Sequence, residues 1–132
     1  MVESEVLAWC FQHGWSLDVY DSKGVYSESR GGYRQSNLIK PGTCDLIGCD
    51  NQGHSVFVEL KKPNHHDVCS LGQRQFLERK INYGAFGCVV SSAKQLSEVY
   101  SQWKSQSVLE RKEFLLSLLP RKVLVDKKIM HL

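Results

Sequence analysis

No apolar run in this chain approaches the roughly 20 residues that a bilayer-spanning helix requires, so no membrane segment is expected. The start of the chain carries Glu3 and Glu5 where a secretory leader would be basic, and export is not expected either. A C-x-x-C pair is also missing. The five cysteines (Cys10, Cys44, Cys49, Cys69 and Cys88) form an odd set without that spacing, which points to reduced thiols in a cytoplasmic protein rather than to a disulfide framework. No internal repeat, low-complexity tract or linker divides the 132 residues, a length suited to one hydrophobic core.

What is present is ordinary in bulk and uneven in detail. The net charge is only +3, which permits a nucleic-acid partner without demanding one. Its distribution says more: Arg30, Arg34 and Lys40 precede a hairpin signal, Lys61 and Lys62 follow it, and Arg121, Lys122, Lys127 and Lys128 crowd the C-terminus. Hydrophobic periodicity predicts a helix over residues 2–13, with Val6, Leu7, Cys10 and Phe11 inward, and a strand over 15–20. Residues 21–40, rich in Ser, Gly and basic side chains, read as a long loop. After Pro63 and a polar loop, Ser70-Leu71-Gly72-Gln73 matches the capping box S-x-x-Q and opens a helix with Phe76, Leu77 and Ile81 inward. Residues 86–90 read as a buried strand. Two further boxes, Ser92 to Gln95 and Ser107 to Glu110, open helices, and residues 123–125 suggest an edge strand. The expected class is α/β, a mixed sheet flanked by helices in the order α-β-β-β-α-β.

The chemistry concentrates on one hairpin. Residues 44–49 and 55–60 are strand-like runs on either side of Asp50-Asn51-Gln52-Gly53, a strong turn signal. Side chains alternate along a strand, so Glu59 and Lys61 share a face. A three-residue loop with left-handed Gly53 would pair Asp45 with Glu59; a two- or four-residue loop would turn the two carboxylates to opposite faces. Facing carboxylates repel unless a cation lies between them. Mg²⁺ suits such oxygen ligands, with Mn²⁺ as a substitute, and the Leu60 main-chain carbonyl would add a third oxygen. Lys61 beside the ion would orient or deprotonate a water for in-line attack on a phosphodiester. A zinc site from Cys44, Cys49, His54, His65, His66 and Cys69 is not expected, because Cys44 and Cys49 fall on opposite sides of one strand.

Three segments carry a resemblance. Gly42 to Gly48 (G-T-C-D-L-I-G), Phe57 to Lys61 (F-V-E-L-K) and Gly72 to Leu77 (G-Q-R-Q-F-L), followed by Gly84 and F-G-C-V-V, resemble the VRR-NUC branch of the PD-(D/E)XK nucleases over residues 1 to about 100. Cys44 stands where that motif has proline. The resemblance implies a restriction-endonuclease-like core, with Asp45 and Glu59 binding the metal, Lys61 assisting the water and Gln73 completing the site. It also implies an acidic residue on the first helix. Glu3 is favoured over Glu5 because it shares a face with Val6, Leu7 and Cys10, although both acids also suit a helix N-terminus. Stand-alone members of the branch are phage or bacterial proteins similar to Holliday-junction resolvases, which implies branched DNA as substrate, a homodimer, and the cytoplasm of a bacterial or phage-infected cell.

The expectation is thus a Mg²⁺-dependent, structure-selective DNA endonuclease. Its core would occupy residues 1–104, with Arg30, Arg34, Lys40, Lys62 and Arg74 on DNA. A non-catalytic DNA-binding module of the same fold is the alternative. Residues 105–132, a helix rich in apolar side chains and a basic extension, belong to the same domain and are expected to serve association or DNA contact; a helix simply buried in the monomer is an equal reading.

Overall fold

The computed structural model describes residues 2–20, 25–27, 32–34, 44–65 and 67–132. Four strands form its mixed central sheet: β1 (Ser16–Val19), β4 (Leu46–Cys49), β5 (Ser55–Leu60) and β7 (Phe86–Val90), in the order β1-β4-β5-β7. The first two junctions are antiparallel and the last is parallel. The helices α1 (Val2–Gln12), α2 (Leu71–Asn82), α3 (Ala93–Ser105) and α4 (Val108–Leu118) flank this sheet, as an α/β class requires. No helix among the described residues is long and apolar enough to cross a membrane.

Local chemistry explains the register of the central hairpin. Gly53 takes φ +86°, a left-handed conformation that glycine adopts at no steric cost. The resulting three-residue loop pairs Cys49 with Ser55 and Leu46 with Val58, and the Asp50 amide donates to the His54 carbonyl. This is the register that sets Asp45 against Glu59. Gly48 answers a different need. A Cβ there would fall 1.9 Å from the Ser16 carbonyl oxygen, so only glycine lets β1 approach β4.

Alternation along β5 divides the packing between two layers. Phe57 points to α2 and meets Phe76 edge-on, with ring centroids 5.6 Å apart. Phe86 of β7 faces Trp15, Tyr100 and Trp103, which tie β1 and α3 to the other layer. Burying rings of this size contributes much of the core's stabilisation. On α1, Val6 and Cys10 are buried, but Phe11, expected inward, is 84% exposed. It lies about 100° around the helix from Cys10 and has rotated past the seam.

Two regions differ from the sequence reading. Within the expected loop of residues 21–40, β2 (Val25–Ser27) and β3 (Gly32–Arg34) pair as a short antiparallel hairpin. The expected polar loop after Pro63 contains β6 (Val68–Ser70), and residues 123–125 are not an edge. Instead β8 (Lys122–Val125) is the middle strand of a second sheet, parallel to β6 and antiparallel to β9 (Lys128–His131). On α4, Leu115 is buried, as is Leu119 just beyond it, and both join the main core; Val108 and Leu109 on the same helix remain 79% and 86% exposed.

Candidate functional site

The open end of the β4–β5 hairpin gathers the residues that the motif singled out. Glu59 and Phe57 share a strand face, and Phe76 and Gln73 lie one helical turn apart. The Phe57–Phe76 contact therefore carries Gln73 over Glu59, since two residues of strand (about 6.6 Å) and three of helix (about 4.5 Å) span similar distances. The Gln73 Nε2 donates to Glu59 Oε1 at 2.9 Å. The Lys61 ammonium donates to Gln73 Oε1 at 3.2 Å and stands 3.8 Å from Glu59 Oε1. Asp45 accepts the Leu60 amide on Oδ2 at 2.9 Å, which holds its carboxylate against the end of β5.

The capping box of α2 fixes which way the Gln73 amide faces. Ser70 Oγ accepts the Gln73 backbone amide, and Gln73 Oε1 accepts the Ser70 backbone amide at 3.0 Å. With Lys61 also donating to Oε1, a flipped amide would set its NH₂ group against two donors. The oxygen is thereby committed to Lys61 and the nitrogen to Glu59. The sequence shows the box, but not that the box orients a site residue. That became legible only with the fold.

Glu59 is under electrostatic stress. It is 2% exposed, and its Oε2 is buried with no hydrogen-bond partner. Burial, then the neighbouring Asp45 carboxylate, push its pKa up to about 9, and Lys61 only partly offsets them. Removing a carboxylate from water without pairing it is costly. A divalent cation fits this donor set: two adjacent carboxylates, one with an orphaned oxygen, and no thiol directed at them. Cys44 is buried beside the pair, and its Sγ donates to the Leu46 carbonyl. Burial and the nearby Glu59 and Asp45 raise its pKa, so it stays a neutral thiol.

The remaining expected residues divide. Glu5 accepts the Ala93 amide at the start of α3, so α1 begins near the end of β7 that adjoins Lys61. Glu3 is half-buried on α1. Among the described residues no three His, Cys, Asp or Glu side chains gather as a metal-holding group. Arg74, expected on DNA, donates to the Pro120 carbonyl at 2.6 Å and pairs with Glu78 at 2.9 Å. Its guanidinium holds the C-terminal segment against α2. Lys62 is exposed beside the site. Arg34 lies on β3, whereas Arg30, Lys40 and His66 fall outside the described residues. His65 is exposed in a 3-10 turn, and His54 pairs with Asp50 at the far end of the hairpin.

Comparison with protein-family models, with curated proteins and with solved structures finds no significant match.

Proposed function

We propose that this chain is a divalent-metal-dependent endodeoxyribonuclease with a restriction-endonuclease-like core of the VRR-NUC type. The observation that supports it most is the buried Glu59, with an unpartnered oxygen, set against Asp45 and linked through Gln73 to Lys61. Asp45 and Glu59 would hold Mg²⁺ or Mn²⁺, with the Leu60 carbonyl as a further ligand. When bound, the cation neutralises the charge that develops on the phosphoryl oxygens.

The chain's own groups do the rest. Lys61, held by Gln73 Oε1, orients a water for attack at phosphorus in line with the bond to be broken. The Lys61 ammonium donates to Gln73 Oε1 at 3.2 Å and pairs more loosely with Glu59 at 3.8 Å, which positions the amine beside the water. In the reaction a P–O bond would form to the water oxygen as that water gives up a proton to solvent, the P–O bond to the departing sugar would break, and the leaving alkoxide would take up a proton from solvent. Branched DNA, such as a four-way junction, is the substrate to test first, and a C₂ homodimer would supply two sites for paired incision. A cytoplasmic setting accords with the thiols. A non-catalytic module of this fold is less well supported, because DNA binding alone gives no reason to keep a buried like-charge pair.

The test is cleavage of linear, flap, nicked and four-way DNA in Mg²⁺, Ca²⁺ and chelator. Mg²⁺ should support cutting and Ca²⁺ binding without cutting. Lys61→Ala should stop cutting with metal binding retained. Undiminished cleavage in excess chelator would refute the reading.

A further inference from the structure

The chain's entire net charge sits in its last twelve residues. Residues 121–132 hold four of the seventeen basic residues and one of the fourteen acidic ones, and the first 120 residues balance at thirteen of each. The fold presents this charge on a ribbon. β8 and β9 pair antiparallel, with Val125 opposite Lys128, so Asp126 and Lys127 alone make the turn. Every residue of β9 is exposed, as are Arg121 and Lys127.

The ribbon's turn lies toward the start of α2, the helix that carries Gln73. β8 runs parallel to β6, and Leu124 pairs with Ser70, the residue whose amide fixes Gln73. The turn lies two residues further along the same direction, which sets Lys127 roughly 10 Å from the start of α2. At the other end, Arg74 clamps Pro120 and Lys122 pairs with Asp67 at 3.1 Å, so the base of the ribbon is fixed to α2 and to the segment before β6.

The turn chemistry adds an independent observation. Asp126 and Lys127 take φ +50° and +64°, the left-handed pair of a two-residue hairpin turn. Glycine suits the second of these positions best, and a lysine there is strained. An exposed residue held at a strained turn tip has no packing reason to be lysine.

We infer that β8–β9 is a DNA-contacting ribbon that engages the phosphate backbone beside the scissile position, with Lys127 and Lys128 as its charged tip. A two-stranded ribbon has the dimensions of the major groove. The exposed Ile129 and Met130 supply apolar surface next to the lysines. This inference rests on the nuclease reading for its substrate, and it names a surface outside the hairpin that carries the candidate site.

The experiment measures binding without cleavage. Fluorescence anisotropy in Ca²⁺ follows a labelled duplex and a four-way junction against wild type, Lys127→Glu/Lys128→Glu and Lys127→Gly. Light scattering and thermal melting are run on each protein. Charge reversal should raise Kd on the order of tenfold or more at 0.1 M salt, and lower the slope of log K against log salt by about 2. Lys127→Gly should raise the melting temperature while weakening DNA binding, a combination that a purely structural turn would not give. Unchanged Kd and slope in the charge-reversed protein would overturn the ribbon and leave the nuclease reading standing. So would conversion of a dimer to a monomer, which would show that β9 pairs with a second copy. Failure of wild type to bind any DNA would overturn both.

Discussion

Asp50 and Glu59 stand at opposite ends of one hairpin, equally buried at 3% and 2% exposure, and the fold treats them in opposite ways. Asp50 accepts four hydrogen bonds: the Gln52 and His54 amides on Oδ1, and His54 Nδ1 and the Tyr100 hydroxyl on Oδ2. Burial alone would raise its pKa, but the donors from Tyr100, His54 and Gln52 outweigh it and the net shift is downward. Glu59 has an orphaned oxygen and an acidic neighbour, and its pKa rises to about 9. A buried carboxylate that closes a turn is fully satisfied. One left unsatisfied identifies the end of the hairpin where the fold gives up stability, as expected of a site that awaits a ligand.

The sharpest way to break this contrast is to neutralise each carboxylate in turn. Glu59→Gln should lower cleavage at least about a thousandfold, the equivalent of several kcal/mol of lost transition-state stabilisation. DNA affinity should change little, since no basic side chain is touched. The same variant should stabilise the metal-free protein at neutral pH by about 1–3 kcal/mol, measured by denaturant melts in chelator. Wild-type cleavage by Glu59→Gln would end the assignment of the site. Asp50→Ala should do the reverse. It should cost about 3 kcal/mol of stability, because it leaves several buried donors unpaired. The fraction that remains folded should cut at the wild-type rate.

The pH dependence separates the two ends further. Glu59 binds its proton more tightly folded than unfolded, so metal-free stability should fall as pH rises from about 4.5 to about 9. The limiting slope is about 1.4 kcal/mol per pH unit, and it should vanish in Glu59→Gln. Asp50 has the opposite sign. Its contribution is present above the unfolded value of 3.8 and is lost as pH falls through the lower folded value. A metal-free stability curve that is flat between pH 5 and pH 9 would mean that Glu59 is not stressed as described.

How much of this was legible in the sequence depended on whether a residue signals locally. Alternation puts Glu59 and Lys61 on one face, and S-x-x-Q marks the start of α2. Gly53 allowed the three-residue loop that pairs Asp45 with Glu59 without excluding the others, and Gln73 was implied only by the resemblance, so the register itself is a property of the fold. The second sheet was not legible in this way. Val68–Ser70 is three residues long, and the β8–β9 turn is made by Asp126 and Lys127, without the glycine that marks such turns. Arg74 reads as a surface base until Pro120, 46 residues away, arrives beside it. Phe11 reads as core because it stands at helical spacing with Leu7, and only the helix docking shows that the buried face runs through Val6 and Cys10 instead.

Tyr100 gives the smallest and most selective test. Fifty residues separate it from Asp50, and its hydroxyl donates to Oδ2 at 2.7 Å. Its ring also packs edge-on against Trp15 and Phe86 and stacks on Trp103. Tyr100→Phe keeps those ring contacts and deletes one donor to a charged acceptor, which should cost about 1.5 kcal/mol at neutral pH. The loss should shrink as pH falls through the lowered folded pKa of Asp50, where the carboxylate takes up a proton and no longer attracts the donor as strongly. Acid denaturation should therefore begin at higher pH in the variant, since one of the groups that hold the Asp50 pKa down is gone. Cleavage in Mg²⁺ should be unchanged, because the hydroxyl acts at the closed end of the hairpin. A Tyr100→Phe protein with wild-type stability and acid midpoint would show that His54 and the turn amides satisfy Asp50 alone, and that Tyr100 serves only through its ring.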